Sequence, residues 1–289
     1  MMNRKNQLLY GIYILAVTVF FLYILFPSDT VATYVTSRLN RVNSDINVDV
    51  DRVRLAFPLG LTLHDARVYY LGTEVLKTDN LKIVPSFLSL FRSRIVFFFT
   101  GSAFEGRLEG RGEFDKRKPD HQAVIAIKLA GIKIKDIAAV KHFLGRKVTG
   151  SLKGTVTYRN SGRSDRELDA GLVISDGELE ILMPILKQKN IPFTELETNI
   201  TIKNEKINIK RCTMKSDQLN GSISGIVNLN EPLSQSRLRL SGLIKPMPEF
   251  LEKLGKDLPA NLLPQKILSK KVVRIRIYGS LDQPRFYMN

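Results

Sequence analysis

The sequence has little of what metal and redox sites usually need. Its 289 residues include one cysteine, Cys212, and three histidines, His64, His121 and His142. A single cysteine excludes an intrachain disulfide and any paired-cysteine motif. The histidines show no H-E-x-x-H spacing and are not accompanied by an acidic cluster, so they form no zinc motif. The sequence therefore predicts neither a metal nor a cofactor.

Nucleotide-binding and acyl-transfer motifs are also missing. The chain contains no G-x-x-x-x-G-K-[ST] loop and no G-x-S-x-G elbow. Gly106, Gly110 and Gly112 are close together, but they alternate with charged residues in a strand pattern and so do not suit a phosphate-binding loop. These absences predict a protein that is not an enzyme.

Acidic residues are scarce beside basic ones. Asp and Glu total 28 against 44 Lys and Arg, a formal net charge of +16, which points to an anionic partner or serves solubility alone. Nucleic acid is disfavoured because no basic recognition helix or RNP-like aromatic motif is present. A denser basic segment is a candidate for contact with anionic lipid, although a solvated strand face is the favoured interpretation. It comprises Lys266, Lys270, Lys271, Arg274 and Arg276.

One long uncharged run lies near the N-terminus, from Leu8 to Phe26. As a helix rising about 1.5 Å per residue, it nearly spans a hydrocarbon core of about 30 Å. Arg4 and Lys5 precede it, which predicts a cytoplasmic N-terminus. A cleaved signal peptide is the alternative, but the run is longer than a usual h-region and no A-x-A-like site follows. Residues 1–27 are therefore predicted to be a cytoplasmic tip and a transmembrane anchor.

Beyond the anchor, the hydrophobic pattern divides into two parts. Residues 28–45 predict an amphipathic linking helix capped by Ser28 or Asp29. Residues 46–289 alternate with the strand period and show no composition break, which predicts one β-rich domain with short interspersed helices. One of those helices is expected from Asp136 to Leu144.

Two local predictions within this domain concern strands. The run Phe97 to Phe99 predicts a strand buried on both faces. The segment from Val272 to Met288 predicts one last strand.

An eleven-residue pattern containing G-x-[LI]-x-G occurs three times, at Phe104 to Phe114, Val148 to Tyr158 and Leu219 to Leu229. Its period of two puts apolar and glycine residues on one face of a strand and polar residues on the other. The glycines suit sheet curvature or the close approach of another body. The residues predicted to line an apolar groove are Phe104, Leu108, Phe114, Val148, Leu152, Val156, Leu219, Ile223 and Val227.

In their order along the chain, these segments resemble the type II secretion system protein N family (GspN), which is related to the AsmA-like envelope proteins. The resemblance covers nearly the whole chain. It is carried by the anchor with its following helix, by RVRLAFPLGLTLHDARVYYLGTEVLKTDNLKI, by the unit from Asp136 to Tyr158, by IPFTELETNITIKNEKINIKRCTMKS, and by the ending GSLDQPRFYM.

The resemblance implies a single-pass protein of the bacterial inner membrane whose C-terminal domain is periplasmic. The implied fold is mainly β, an elongated, curved, antiparallel-rich sheet that forms an AsmA-like groove. The expected function is a non-enzymatic docking or structural module of type II protein secretion, with other secretion components and inner-membrane lipids as partners. The alternative is an AsmA-like lipid-binding or lipid-transfer protein that holds acyl chains, such as those of a phospholipid, in the groove.

Overall fold

A computed structural model describes residues 4–40, 46–56, 60–70, 72–117, 122–140, 145–162, 165–180, 189–250, 252 and 272–288. Helix α1 covers Arg4–Ile24 and helix α2 covers Ser28–Asn40. A third, short helix, α3, covers Phe87–Leu90. The strands are β1 Ile46–Ala56, β2 Gly60–Tyr70, β3 Thr73–Pro85, β4 Arg94–Ala103, β5 Gly106–Asp115, β6 Ala123–Lys133, β7 Ser151–Asn160, β8 Arg166–Glu180, β9 Asn190–Lys203, β10 Lys206–Lys215, β11 Leu219–Asn228, β12 Arg237–Pro246, β13 Val273–Ser280 and β14 Pro284–Met288.

These strands form one 14-stranded sheet in which spatial order follows chain order from β1 to β14. Every neighbouring pair is antiparallel. Antiparallel neighbours can be joined by short turns, whereas parallel ones need long crossovers. The prediction of a mainly β, antiparallel fold with few helices is confirmed.

The turn between β9 and β10 is at Asn204-Glu205, with φ of 49° and 58°. Positive φ at both central residues is the signature of a type I′ hairpin, whose twist matches that of the strands. Ile202 faces Ile207 and Ile200 faces Ile209 across this hairpin. Apolar side chains on the two strands therefore share one face.

The first two GxLxG repeats form shorter strands than the sequence pattern predicted. Phe104 and Glu105 have φ of 48° and 60° and form the turn between β4 and β5, so β5 begins at Gly106. Val148 precedes β7 and makes only an isolated bridge to Leu179. The predicted placement of Phe104 and Val148 within these strands is wrong, because backbone turns interrupt the alternation there.

Three other local predictions also differ from the structure. Phe99 is 9% exposed but Phe98 is 48% exposed, so β4 is buried on one face only. The expected last strand is a hairpin, β13 and β14, because the chain turns between Ser280 and Pro284. A 3-10 turn covers Ile134–Asp136, and α-helical residues begin only at 138 and are described to 140, so the predicted helix starts two residues later than Asp136, and its last part, residues 141–144, lies outside the described residues.

The register places two rows of uncharged residues on one face of the sheet, and we call this face the apolar face. The first row has one position on each of the 14 strands. It consists of Leu55, Leu61, Ile83, Phe99, Gly110, Ile127, Val156, Ala170, Ile200, Ile209, Gly225, Leu240, Ile277 and Phe286. The second row runs from β1 to β13 through Val53, Leu63, Leu81, Gly101, Leu108, Leu129, Gly154, Leu172, Thr198, Cys212, Ile223, Gly242 and Ile275.

The buried core lies mainly against the first nine strands. One cluster joins Ala32 of α2 to Val53 and Leu63. The other is built around Phe99, Leu108 and further residues from β4 to β9. The chain exposes 19856 Å², whereas a compact monomer of this mass exposes about 12,000 Å². A single sheet layer with much of both faces open explains the excess.

One residue on the outer edge of β1, Val48, is capped by a side chain. The Val48 N–H donates to Oδ1 of Asn40 at 2.6 Å, and Nδ2 of Asn40 donates to the Val48 carbonyl at 3.2 Å. The amide group at the end of α2 thus replaces the hydrogen bonds of a neighbouring strand. Such a cap reduces the tendency of an edge strand to pair with another chain.

Asn40→Ala is expected to lower the free energy of unfolding by about 1–3 kcal/mol, because it leaves two backbone groups of Val48 without these partners. Thr33→Ala is the control, since Thr33 is exposed on the same helix and bonds only to the Asp29 carbonyl. Urea denaturation measures both variants. Equal effects would contradict a capping role for Asn40.

Candidate functional site

The apolar face contains most of the residues predicted to line a groove, and they differ in exposure. Leu108, Val148 and Leu152 are 4%, 8% and 9% exposed and belong to the same core cluster. Phe104 packs on that cluster from its turn. Val227 is 9% exposed, whereas Phe114, Val156, Leu219 and Ile223 are half-buried.

The space above two glycines of the first repeat is filled by phenylalanine rings. Gly110 lies opposite Phe99 and Gly112 lies opposite Phe97, and a Cβ atom at either glycine would overlap the facing ring. The same arrangement occurs between Gly177 and Phe193. In β5 the missing side chains therefore make room for β4 and not for an outside ligand.

The third repeat uses glycine differently. Gly225 has φ of +142°, and a Cβ atom there would overlap the carbonyl oxygen of Arg239 on β12. Gly221 begins the same repeat, yet its Cβ would meet only the Leu243 carbonyl oxygen at 3.6 Å, an ordinary contact. Close strand approach is therefore required at Gly225 alone of these two.

From β10 to β14 the first apolar row is half-buried or exposed, although Ile275 of the second row is buried. Ile209, Ile223, Leu240 and Ile277 are half-buried, and Phe286 on β14 is 54% exposed. No charged residue interrupts either row. In this part of the sheet, a continuous strip of apolar residues is partly exposed to solvent. Surfaces of this kind bind apolar ligands or partners.

The opposite face carries charged side chains, and many of them are paired. Arg94 lies 3.1 Å and Arg111 3.2 Å from Glu113, and Lys128 lies 3.3 Å from Glu109. These pairs are solvent-exposed and contribute little stability individually. We call this the polar face.

Asp169 occupies a polar-face site where several groups converge. The Thr201 hydroxyl donates to one carboxylate oxygen at 2.7 Å, and Arg159 donates to the other at 2.6 Å. The hydrogen bond from Thr201 and then that from Arg159 hold the pKa of Asp169 below its usual range. The carboxylate is therefore ionised and serves as an acceptor.

Cys212 lies on the second apolar row and is half-buried. Burial raises the pKa of its thiol, against the opposing effect of the hydrogen bond with Thr198. The thiol is neutral at neutral pH and therefore a poor nucleophile. It nevertheless provides a single chemical reporter on the apolar face.

Within the described residues, no group of three or more His, Cys, Asp and Glu side chains is arranged to hold a metal ion. His64 lies on β2, paired with Arg52 and Asn80. The other two histidines, His121 and His142, lie outside the described residues.

The predicted basic surface is only partly described. Lys266, Lys270 and Lys271 lie outside the described residues, whereas Arg274 and Arg276 lie on the polar side of β13. Together with Arg285 of β14, these two arginines line a cavity of about 650 Å³ that also includes Tyr278 and Tyr287.

Sequence reasoning missed Arg285 and two arginines of β12, Arg237 and Arg239. The strand pairing brings Arg239 and Arg285 onto one surface, because each of them lies opposite Tyr278. Recognising the turn before Pro284 would have placed Arg285 beside β13.

Helix α1 has apolar side chains at its surface. Leu9, Ile14 and Phe20 are 65%, 63% and 60% exposed. In the described part of the chain, none of the helices combines the length and the hydropathy that crossing a membrane requires.

Comparisons with protein-family models, curated proteins and solved structures find no match.

Proposed function

We propose that this chain is a membrane-anchored protein that holds acyl chains against the apolar face of its sheet. The observation that carries the proposal is the first apolar row, which crosses all 14 strands without a charged residue. From β10 onward this row is half-buried or exposed, so an apolar ligand can reach it. The AsmA-like resemblance also implies lipid transfer.

The dimensions and energetics of the face suit such a ligand. Fourteen strands at a spacing of about 4.8 Å give the sheet a width of about 60 Å. Removing one methylene group from water contributes about 0.8 kcal/mol, so ten methylenes contribute about 8 kcal/mol before the cost of ordering the chain. Contact along the open strands therefore supplies a favourable free energy of the same order as the cost of binding.

The proposed anchor is the segment from Leu8 to Phe26. Its support is the uncharged length of the segment and the exposed apolar side chains of α1. Arg4 and Lys5 favour a cytoplasmic N-terminus, which assigns residues 46–289 to the periplasm in a single-pass inner-membrane protein. Protease protection tests this orientation, and a cytoplasmic C-terminal region would overturn it.

Leu240→Glu is expected to abolish the co-purification of phospholipid with the full chain, because a carboxylate on the open part of the row opposes acyl contact. Ser241→Glu is the matched control, since Ser241 is the next residue of β12 and is exposed on the polar face. Native mass spectrometry and lipid extraction measure the bound lipid. Lipid retained by both variants, or absent from the wild type, would overturn the proposal.

Leu240 suits this test better than the buried leucines of the repeats. Leu108 and Leu152 are 4% and 9% exposed, so glutamate at either would destabilise the core itself. Leu240 is half-buried, and a thermal melt of each variant separates unfolding from loss of lipid.

Cys212 gives an independent readout of the same proposal. Bound acyl chains are expected to slow its alkylation by iodoacetamide, because they cover the second apolar row. In Leu240→Glu, adding phospholipid is expected to leave the alkylation rate unchanged. Unchanged alkylation of the wild type on lipid addition would count against binding at this face.

The second candidate is a non-enzymatic docking or structural role in type II protein secretion. The observation favouring it is the group of arginines beside the last strand, which suits contact with an acidic protein. Co-purification of the tagged full chain with secretion components, without phospholipid, would favour this candidate over the first.

A further inference from the structure

We propose that the outer edge of β14 binds an extended segment of a partner protein in which acidic and apolar residues alternate. The segment adds to the sheet as one more strand. This inference gives the docking candidate a specific partner chemistry, and it does not depend on whether lipid occupies the apolar face.

The two edges of the sheet differ. The amide of Asn40 occupies the backbone groups of Val48 on β1. At the other edge, β14 pairs with β13 and, among the described residues, with no strand on its outer side. An open edge supplies N–H and C=O groups that an added strand can bond.

The polar face beside this edge has an excess of positive charge. Arg274 and Arg276 are on β13, Arg239 is on β12 and Arg285 is on β14, and all four side chains are exposed. None of the ion pairs formed within the described residues involves them. Guanidinium groups bind carboxylates with directional, charge-assisted hydrogen bonds.

The register of β14 sets the pattern that a partner needs. Arg285 and Tyr287 face the polar side, whereas Phe286 faces the apolar side. A strand added at this edge would place alternate residues opposite these positions, with same-face residues about 6.8 Å apart. Acidic residues then face Arg285 and lie near Arg276, and apolar residues cover the exposed ring of Phe286.

Two tyrosines of this surface pack against each other. The rings of Tyr278 and Tyr287 meet edge to face, with centroids 6.0 Å apart. Arg276 lies opposite Tyr287, and Arg285 lies opposite Tyr278. Arginine and tyrosine therefore alternate across the hairpin, which separates like charges while keeping both guanidinium groups on one face.

A second copy of this chain fits the edge less well than an acidic partner. Pairing β14 with another β14 would bring two sets of these arginines together without a carboxylate between them, which is unfavourable. Pairing β14 with β1 of another copy would require Asn40 to release Val48.

The test uses the full chain in neutral detergent and fluorescent nine-residue peptides that alternate glutamate and valine. Anisotropy at an ionic strength of about 0.05 M keeps screening weak. The glutamate–valine peptide is expected to bind at least about tenfold more tightly than a lysine–valine peptide. The double variant Arg276→Glu/Arg285→Glu is expected to lose this preference, whereas Arg107→Glu, in the polar face of β5, retains it.

Two N-methylated versions of the acidic peptide distinguish strand addition from simple charge attraction. Each blocks the N–H groups along one edge of the peptide, and strand addition needs only one edge. One version is therefore expected to bind like the parent peptide and the other to fail.

Three results would overturn the inference: equal binding by both methylated peptides, binding to anionic phospholipid vesicles but not to the acidic peptide, or a wild-type dimer that Arg285→Glu dissociates. Lipid retention by the double variant separates this inference from the acyl-chain proposal, because Leu240 remains unchanged.

Discussion

Gly225→Ala is expected to lower the free energy of unfolding by about 2–5 kcal/mol. Gly225 combines φ of +142° with a Cβ position that would overlap the Arg239 carbonyl oxygen. Because that oxygen belongs to the backbone of β12, rotating a side chain cannot relieve the overlap. The two strands would have to separate or the chain would have to change conformation.

Gly221→Ala is the matched control for this prediction. Gly221 is on the same strand and in the same repeat, but its Cβ would have an ordinary 3.6 Å contact and its φ is not positive. Its expected effect is less than about 1 kcal/mol. Urea denaturation compares the two variants. Equal stabilities would show that close approach at Gly225 does not constrain the sheet.

Phe99→Ala is expected to lower the free energy of unfolding by about 3–5 kcal/mol, the cost of removing a large buried aromatic side chain. Phe99 is 9% exposed and belongs to the main core cluster. Its ring also covers Gly110, which has no side chain to fill the resulting cavity.

Phe98→Ala tests whether the loss of stability depends on burial of the ring against the apolar face. Phe98 is the preceding residue on β4, but it is 48% exposed on the polar face. Its expected cost is less than about 1 kcal/mol. Calorimetric melting of both variants provides the comparison, and a similar loss in each would contradict the one-sided burial of β4.

The faces of the strands could be predicted from the sequence because side chains alternate with a period of two. Leu108 and Ile223 share the second apolar row, and Val156 lies on the first, as their alternation with polar residues indicates. Ile200 pairs with Ile209 across a tight turn at Asn204-Glu205, and two alternating runs separated by two such residues are a local sequence pattern that favours a hairpin. The alternation shows on which face of the sheet each side chain lies, and this does not require knowing which strand pairs beside it.

Turns and cross-strand groupings were harder to predict. Phe104 and Glu105 adopt positive φ although neither is glycine, so the β4–β5 turn carried no strong sequence signal. Residues far apart in sequence, such as Arg239 and Arg285, come onto one surface only through the register of β12, β13 and β14. The covering of Gly110 by Phe99 depends on register in the same way.

The sequential order of the strands has a consequence for how this domain can vary in length. Each strand between the two edges pairs with its predecessor and its successor in the chain, so the sheet resembles a one-dimensional array more than a fold closed by distant contacts. Inserting one two-stranded hairpin between existing hairpins would widen the sheet by about 10 Å. Both rows would continue across the insertion if its residues kept the same alternation. The reach of the domain can therefore change in steps of one hairpin while its two ends, the capped edge and the arginine-rich edge, keep their chemistry.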